Sequence, residues 1–397
     1  MKQTLFVFLF LVSASMVIHA VAHTPPPGTI PTATIRLITR STDNLLLDGN
    51  RIALKTIDPS NSAGLYMIER GPSGWANVPV SLPSPGTPVG KPIAFEGDLL
   101  ATDTNGGSFY GFATRSMVFE RAAGGWRTRT VLQNQVDLVC AGFSPAGVIS
   151  LVPGPTGIGV YSCVNNLAKV TATLALPPIP QPALLTMALS GDTLVTIYAR
   201  GDNVSPKIHG YVYERTRDTK GSLWTLRSEL PLPAKLATMP AVANSTRAAT
   251  DGNTIVIGSP KEIMTVSGLG TVEAGAVYLF NRTATGWAFS AKLTQPRKYR
   301  HFGKSIAVSG ERVLVGTRSQ QVFNVALEPG EAYLYQRVDG IWNQTPNILK
   351  SGNAGADVGF GHGVALQGNT AVATSTDGEG GAIYIYSLPN IAPALAR

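Results

Sequence analysis

At 397 residues the chain is long for one ordinary domain, yet only 14% of it is charged and no stretch keeps a helical period of apolar residues. With 42 glycines and 28 prolines dividing it into short apolar runs, the composition excludes a helical bundle and predicts an all-β protein. The formal net charge of +8 is modest for this length; it does not favour nucleic acid and leans weakly toward an anionic partner.

The chain begins with a positive Lys2, a continuous apolar run from Leu5 to Val12 and a small-x-small site at Ala20-Val21-Ala22. This predicts a secretory signal peptide over residues 1–22, with His23 as the mature N-terminus and a secreted or extracytoplasmic destination. No second membrane span is expected after signal removal. Thr24-Pro25-Pro26-Pro27-Gly28 makes residues 23–32 a proline-rich leader, residues 33–388 carry the repeats described next, and residues 389–397 form a C-terminal tail.

Seven units follow, each marked by a glycine near its first turn: Gly49, Gly97, Gly147, Gly191, Gly252, Gly310 and Gly368. A polar residue before the glycine suits a tight hairpin, because glycine accepts positive φ without penalty. Only Ala146-Gly147 departs from that pattern. A second apolar strand follows each turn, and a third is marked by Tyr66, Phe119, Tyr161, Tyr213, Tyr278, Tyr333 and Tyr384. In five units an arginine comes soon after that aromatic: Arg70, Arg121, Arg215, Arg282 and Arg337. Trp75, Trp126, Trp224, Trp287 and Trp342 then open the fourth strand of their units. Five tryptophans at one repeat position are read as framework packed between neighbouring sheets rather than as a sugar-stacking platform.

Unit seven lacks the Trp-to-Leu fourth strand, while the apolar run Ala33–Ile38 is unassigned and precedes unit one. The expected architecture is therefore a seven-bladed β-propeller of four-stranded blades, closed by an N-terminal strand in the last blade.

With Phe302-Gly303 and Phe360-Gly361 opening units six and seven, and Gly258-Ser259-Pro260 and Gly316-Thr317 ending second strands, the repeat resembles the FG-GAP family, the propeller repeat of integrin alpha subunits. The resemblance spans residues 33–388 and is clearest in units five to seven. It implies a propeller used for binding or adhesion. The family often holds calcium in an acidic loop between the first two strands; here that connection is too short to wrap an ion, so no metal and no cofactor are expected.

Other features leave alternatives open. Cys140 and Cys163 fall in one unit and could form a disulfide in an exported chain or remain two buried thiols. Asn244-Ser245-Thr246 and Asn281-Arg282-Thr283 match the glycosylation sequon. The densest basic run, Arg297-Lys298-Tyr299-Arg300-His301, is expected on the same face as Lys261 and Arg318, among the long loops joining second to third strands and unit to unit. These seven residues are the candidate ligand contacts, for an unidentified extracellular protein or glycan. No zinc-binding His-Glu-x-x-His and no nucleophile elbow occur, so catalytic residues are not assigned. The expected function is a secreted, calcium-independent binding module. The alternatives are a propeller enzyme acting on polysaccharide and a scaffold for surface-protein assembly.

Overall fold

The computed structural model describes residues 29–37, 40–57, 63–82, 92–102, 117–131, 140–144, 147–153, 157–164, 167–175, 177, 179, 182–200, 207–218, 221–237, 246–266, 270–295, 301–317, 330–351, 359–376 and 381–391. These form an all-β structure whose only described helix is the single turn Ala234–Ala237. No described helix is long and apolar enough to cross a membrane.

Six of the larger sheets are purely antiparallel and hold four or five strands each. In unit five, for example, Arg247–Thr250, Thr254–Ser259, Ala276–Thr283 and Gly286–Leu293 pair in sequence order. Unit three, the least regular in sequence, still forms a four-stranded sheet. There Ser144 pairs with Gly147, so Gly147 opens the second strand instead of sitting in the turn where it was expected. The sheet of unit two carries an unexpected addition: Val80–Ser81 pairs in parallel with its outer strand, and Trp126 N donates to Pro79 O (2.9 Å).

Unit six breaks its outer strand into Ile341–Trp342 and Asn347–Leu349. Asn343 Oδ1 captures the Thr345 amide (2.9 Å), and Pro346 has no N–H to pair, so the ladder cannot run through.

The run before unit one does join unit seven. Ala33–Leu37 pairs antiparallel with Gly381–Ser387, from Ala33 opposite Ile385 to Leu37 opposite Gly381. Leu37 then packs with Ile52 and Leu54 of unit one and with Val372 and Ile383 of unit seven.

First strands of successive units lie side by side. Arg40–Asp48 neighbours Pro92–Glu96, which neighbours Cys140–Ser144, then Pro182–Ser190, Arg247–Thr250, Ser305–Ser309 and Val364–Gln367. Val364–Gln367 in turn neighbours Arg40–Asp48. Apolar clusters fill the spaces between sheets, such as Val256, Leu279, Val313 and Tyr335 between units five and six.

The Phe-Gly pairs sit at such junctions. Phe302 is fully buried, its ring 5.6 Å from that of Tyr333 in a T-shaped contact, and Phe360 meets Tyr384 at 5.4 Å in the same way. The glycines bring backbone onto backbone. A Cβ built on Gly258 would collide with Gly303 O, and one on Gly275 with Phe302 O. The next junction repeats this arrangement, with Gly316 against Gly361 O and Gly330 against Phe360 O. Only a residue without a side chain allows that approach.

The Cys140–Cys163 pair is separated by backbone register. Cys140 faces Leu151 and Leu151 faces Val160, three positions from Cys163. Two strand spacings and three residues amount to about 14 Å, and a disulfide spans Cα atoms no more than about 7 Å apart.

The junction glycines and the turn glycines are expected to respond differently to substitution. Gly310, at φ +56° with open space around it, should cost about 1–2 kcal/mol as Gly310→Ala, the penalty of left-handed backbone. Gly316→Ala must displace the neighbouring sheet and should cost on the order of 3 kcal/mol or more. Denaturant midpoints measure both; equal losses would contradict the backbone-contact account.

Candidate functional site

The two ends of the strands differ in chemistry. At the tight-turn end, acidic and polar residues that precede the turn glycines reach into the next unit. Asp48 Oδ2 accepts the Gly97 amide (2.5 Å), Asp251 Oδ2 the Gly310 amide (2.8 Å) and Ser309 Oγ the Gly368 amide (2.9 Å). Gln367 Oε1 accepts the Gly49 amide and so links unit seven to unit one. The polar residue read from sequence as turn chemistry is thus also a latch between sheets.

Arginines reinforce the same belt. Arg51 Nη1 donates to Gly97 O (2.5 Å) and meets Asp98 at 2.8 Å, and the equivalent Arg312 reaches Gly368 O (3.1 Å) and Asn369 Oδ1 (2.6 Å). The arginines at the ends of third strands lie over the framework tryptophans: Arg215 over Trp224 at 5.3 Å, Arg282 over Trp287 at 4.9 Å and Arg337 over Trp342 at 5.5 Å. Trp126, Trp224, Trp287 and Trp342 are buried and Trp75 half-buried. Trp126 also donates its Nε1–H to Glu69 Oε1 (2.8 Å), which receives Arg121 Nε at the same distance.

A cleft of about 440 Å³ opens on this end between units five and six, lined by Asp251, Asn253, Asn281, Arg282, Glu311 and Arg337 among others. Its charges are committed. Arg337 holds Glu311 with two bonds, Arg282 reaches Gly252 O and Thr193 Oγ1, and Asp251 Oδ1 caps the Asn253 and Thr254 amides. Asn281, the acceptor of one sequon, lies within a strand and its Nδ2 donates to Ser290 Oγ (2.9 Å). The Asn244 sequon begins outside the described residues.

The opposite, loop end carries a different arrangement. After Ser259 the chain turns, and Glu262 N donates to Ser259 O (3.1 Å) while Glu262 O accepts the Ala274 and Gly275 amides (3.0 Å each). The stretch read from sequence as a long loop is a β-hairpin, Ile263–Val266 paired with Gly270–Glu273. The Glu262 side chain is only 4% exposed. It accepts Lys292 Nζ at 2.5 Å and Tyr278 Oη at 2.5 Å, and Lys235 Nζ stands 3.4 Å away.

Two ammonium groups thus face this buried carboxylate, the pairing that burial of a charge requires. Burial raises the Tyr278 phenol far above its ordinary value, helped by the hydrogen bond to Glu262. Tyr278 therefore stays a donor, and Lys292 lies 5.3 Å over its ring. Lys261, the preceding residue, adds a third lysine to this stretch of the loop end. Unit six repeats part of the theme, with Tyr333 Oη donating to Glu331.

Of the seven sequence candidates, Lys261 is half-buried at the base of the hairpin and forms no ion pair among the described residues. His301 Nε2 lies 3.0 Å from Glu273 Oε2, with its backbone at φ +44° just before the docked Phe302. Arg297, Lys298, Tyr299, Arg300 and Arg318 lie outside the described residues. Sequence reasoning missed Glu262, Lys235 and Lys292. They come from three connections or strands with no shared period, and only the Lys261-Glu262 doublet beside a proline hinted at them.

The Glu311–Arg337 pair gives the turn end a pH signature. Hydrogen bonding to Arg337 holds the Glu311 carboxyl below its ordinary 4.5 despite partial burial. A depressed carboxyl contributes stability that is present above pH 4.5 and is lost as pH falls through its lowered folded value. Glu311→Gln should therefore lower the melting temperature at pH 7, and the difference from the parent chain should shrink as pH falls below 4.5; a difference constant with pH would refute the assignment. No protein-family profile matches this chain, and no curated protein is significantly similar to it.

Proposed function

We propose that the chain is a closed seven-bladed propeller of the FG-GAP type, exported from the cell and used as a binding module through its loop end. Closure is supported by the succession of neighbouring first strands, which returns from unit seven to unit one. The pairing of Ala33–Leu37 with Gly381–Ser387 and the Gln367–Gly49 latch support it at the seam. The FG-GAP assignment rests on the two junctions where Phe-Gly docks onto paired glycines.

The observation that carries the binding assignment is the lysine excess at the loop end. Lys235 and Lys292 pair with the buried carboxylate of Glu262 and Lys261 precedes it in sequence without an ion pair among the described residues, while Arg51, Arg215, Arg282, Arg312 and Arg337 of the turn end are engaged by carboxylates and carbonyls within and between units. The basic run Arg297–Arg300 enters the same end in sequence, directly before His301. The ligand is an anionic extracellular protein or polysaccharide. Calcium plays no part in the first turns, since Asp48 and Asp251 direct their carboxylates to backbone amides there.

Binding of the chain to immobilised dextran sulfate and to poly-glutamate tests this reading. Binding should weaken as salt rises, and Arg297→Ala, Lys298→Ala and Arg300→Ala together with Lys261→Ala should lower affinity at least tenfold, without a change in melting temperature. Unchanged affinity in that variant, or no binding to either polyanion, would remove it.

A further inference from the structure

The hairpin Ile263–Glu273 stands apart from every larger sheet. Each of its strands has four residues, and among the described residues neither pairs with a third. A two-stranded ribbon is marginal in water, yet this one is fixed at its base. Glu262 anchors one side through its backbone and its carboxylate. The Glu273–His301 pair and the Gly275–Phe302 bridge hold the other.

Its composition is unusual for strands with open edges. Natural edge strands carry charges, prolines or bulges that discourage pairing with another chain. From Ile263 to Val272 the sequence is Ile-Met-Thr-Val-Ser-Gly-Leu-Gly-Thr-Val, without a charge or a proline. Ile263 and Met264 are 39% and 36% exposed, and as successive residues of a strand they point to opposite faces of the ribbon. Ile263 and Met264 therefore offer apolar surface on both faces, beside a strand edge that is unpaired among the described residues.

The charges at the base select the occupant. Lys261 adjoins the first strand, and Lys235, its side chain 54% exposed, stands beside Glu262. A second copy of this chain would bring the same lysines against these, whereas an acidic chain would be attracted.

We infer that the hairpin is a strand-addition site: it takes an extended segment of another protein, β-prone at its centre and acidic at its ends, as a third strand. Backbone hydrogen bonds along the open edge supply affinity, Ile263 and Met264 take alternate side chains, and the lysines fix polarity and register. This deepens the binding reading above and rests on it, naming polypeptide rather than polysaccharide as the ligand.

The test uses the whole chain and a labelled peptide with a Thr-Val-Thr-Val-Thr-Val centre and two glutamates at each end, followed by fluorescence anisotropy. The peptide should bind, and its counterpart with lysines in place of glutamates should bind at least tenfold more weakly. Ile263→Gln with Met264→Gln, which removes the apolar contacts without changing the charge around Lys235 or Lys261, should lower peptide affinity at least tenfold while leaving dextran sulfate binding unchanged. That split separates failure of the hairpin assignment from failure of the binding reading. Equal binding of the two peptides, or peptide binding undiminished in the double variant, would overturn the proposal. So would sedimentation showing a dimer of the parent chain that the double variant dissolves, because the edge would then belong to a second copy.

Discussion

The structure depends on the close approach of one sheet's backbone to the next at the Phe-Gly junctions. Gly258 and Gly275 in unit five, and Gly316 and Gly330 in unit six, leave no room for a side chain against the following Phe-Gly pair. The approach lets Phe302 and Phe360 reach the tyrosines of their own third strands. Buried apolar clusters fill the space between the sheets that meet there. Two latches at the turn end, Asp251 to Gly310 and Ser309 to Gly368, close over the same two junctions.

That constraint divides labour between the two ends of the strands. At the turn end the described connections are two or three residues long, and their acidic and basic side chains are engaged within a unit or with the next one. Each such exposed pair contributes little alone, about 0–1 kcal/mol; repeated around the units, they register the sheets. At the loop end the connections are long enough to vary. The second-to-third connection of unit five has grown into a hairpin with a buried carboxylate at its root. Glu262 would be costly to bury unpaired, and Lys292, Lys235 and Tyr278 answer its charge and its lone pairs. Exposed beside it are Lys235, Ile263 and Met264, with Glu273 facing His301 at the other side of the hairpin base.

Much of the fold was legible because its signals are local and repeated. The third-strand aromatics and tryptophans fall on the strands expected of them, and Ala33–Leu37, the described part of the unassigned run, pairs with unit seven as its vacancy implied. Unit three was harder to place, since Gly147 lies in its second strand and no tryptophan marks its outer strand. The interactions that sequence reading missed are contacts between distant segments. The Asp251–Gly310 latch hides inside what looks like ordinary turn chemistry, and the Glu262 cluster draws on Lys235, Tyr278 and Lys292 without any common spacing. The hairpin was read as a loop because Ser267-Gly268 and Gly270 mask two four-residue strands.

The central claim is that the seven sheets form one ring, closed where the first strand completes the last sheet. Hydrogen exchange on a chain beginning at Asp43, which lacks Ala33–Leu37, tests it most directly. The ring account expects a lower melting temperature, with amides of Gly381–Ser387 and Thr370–Thr376 exchanging much faster than in the full chain and those of Thr193–Arg200 changing least. A shortened chain with undiminished stability and unchanged protection in Gly381–Ser387 would contradict it.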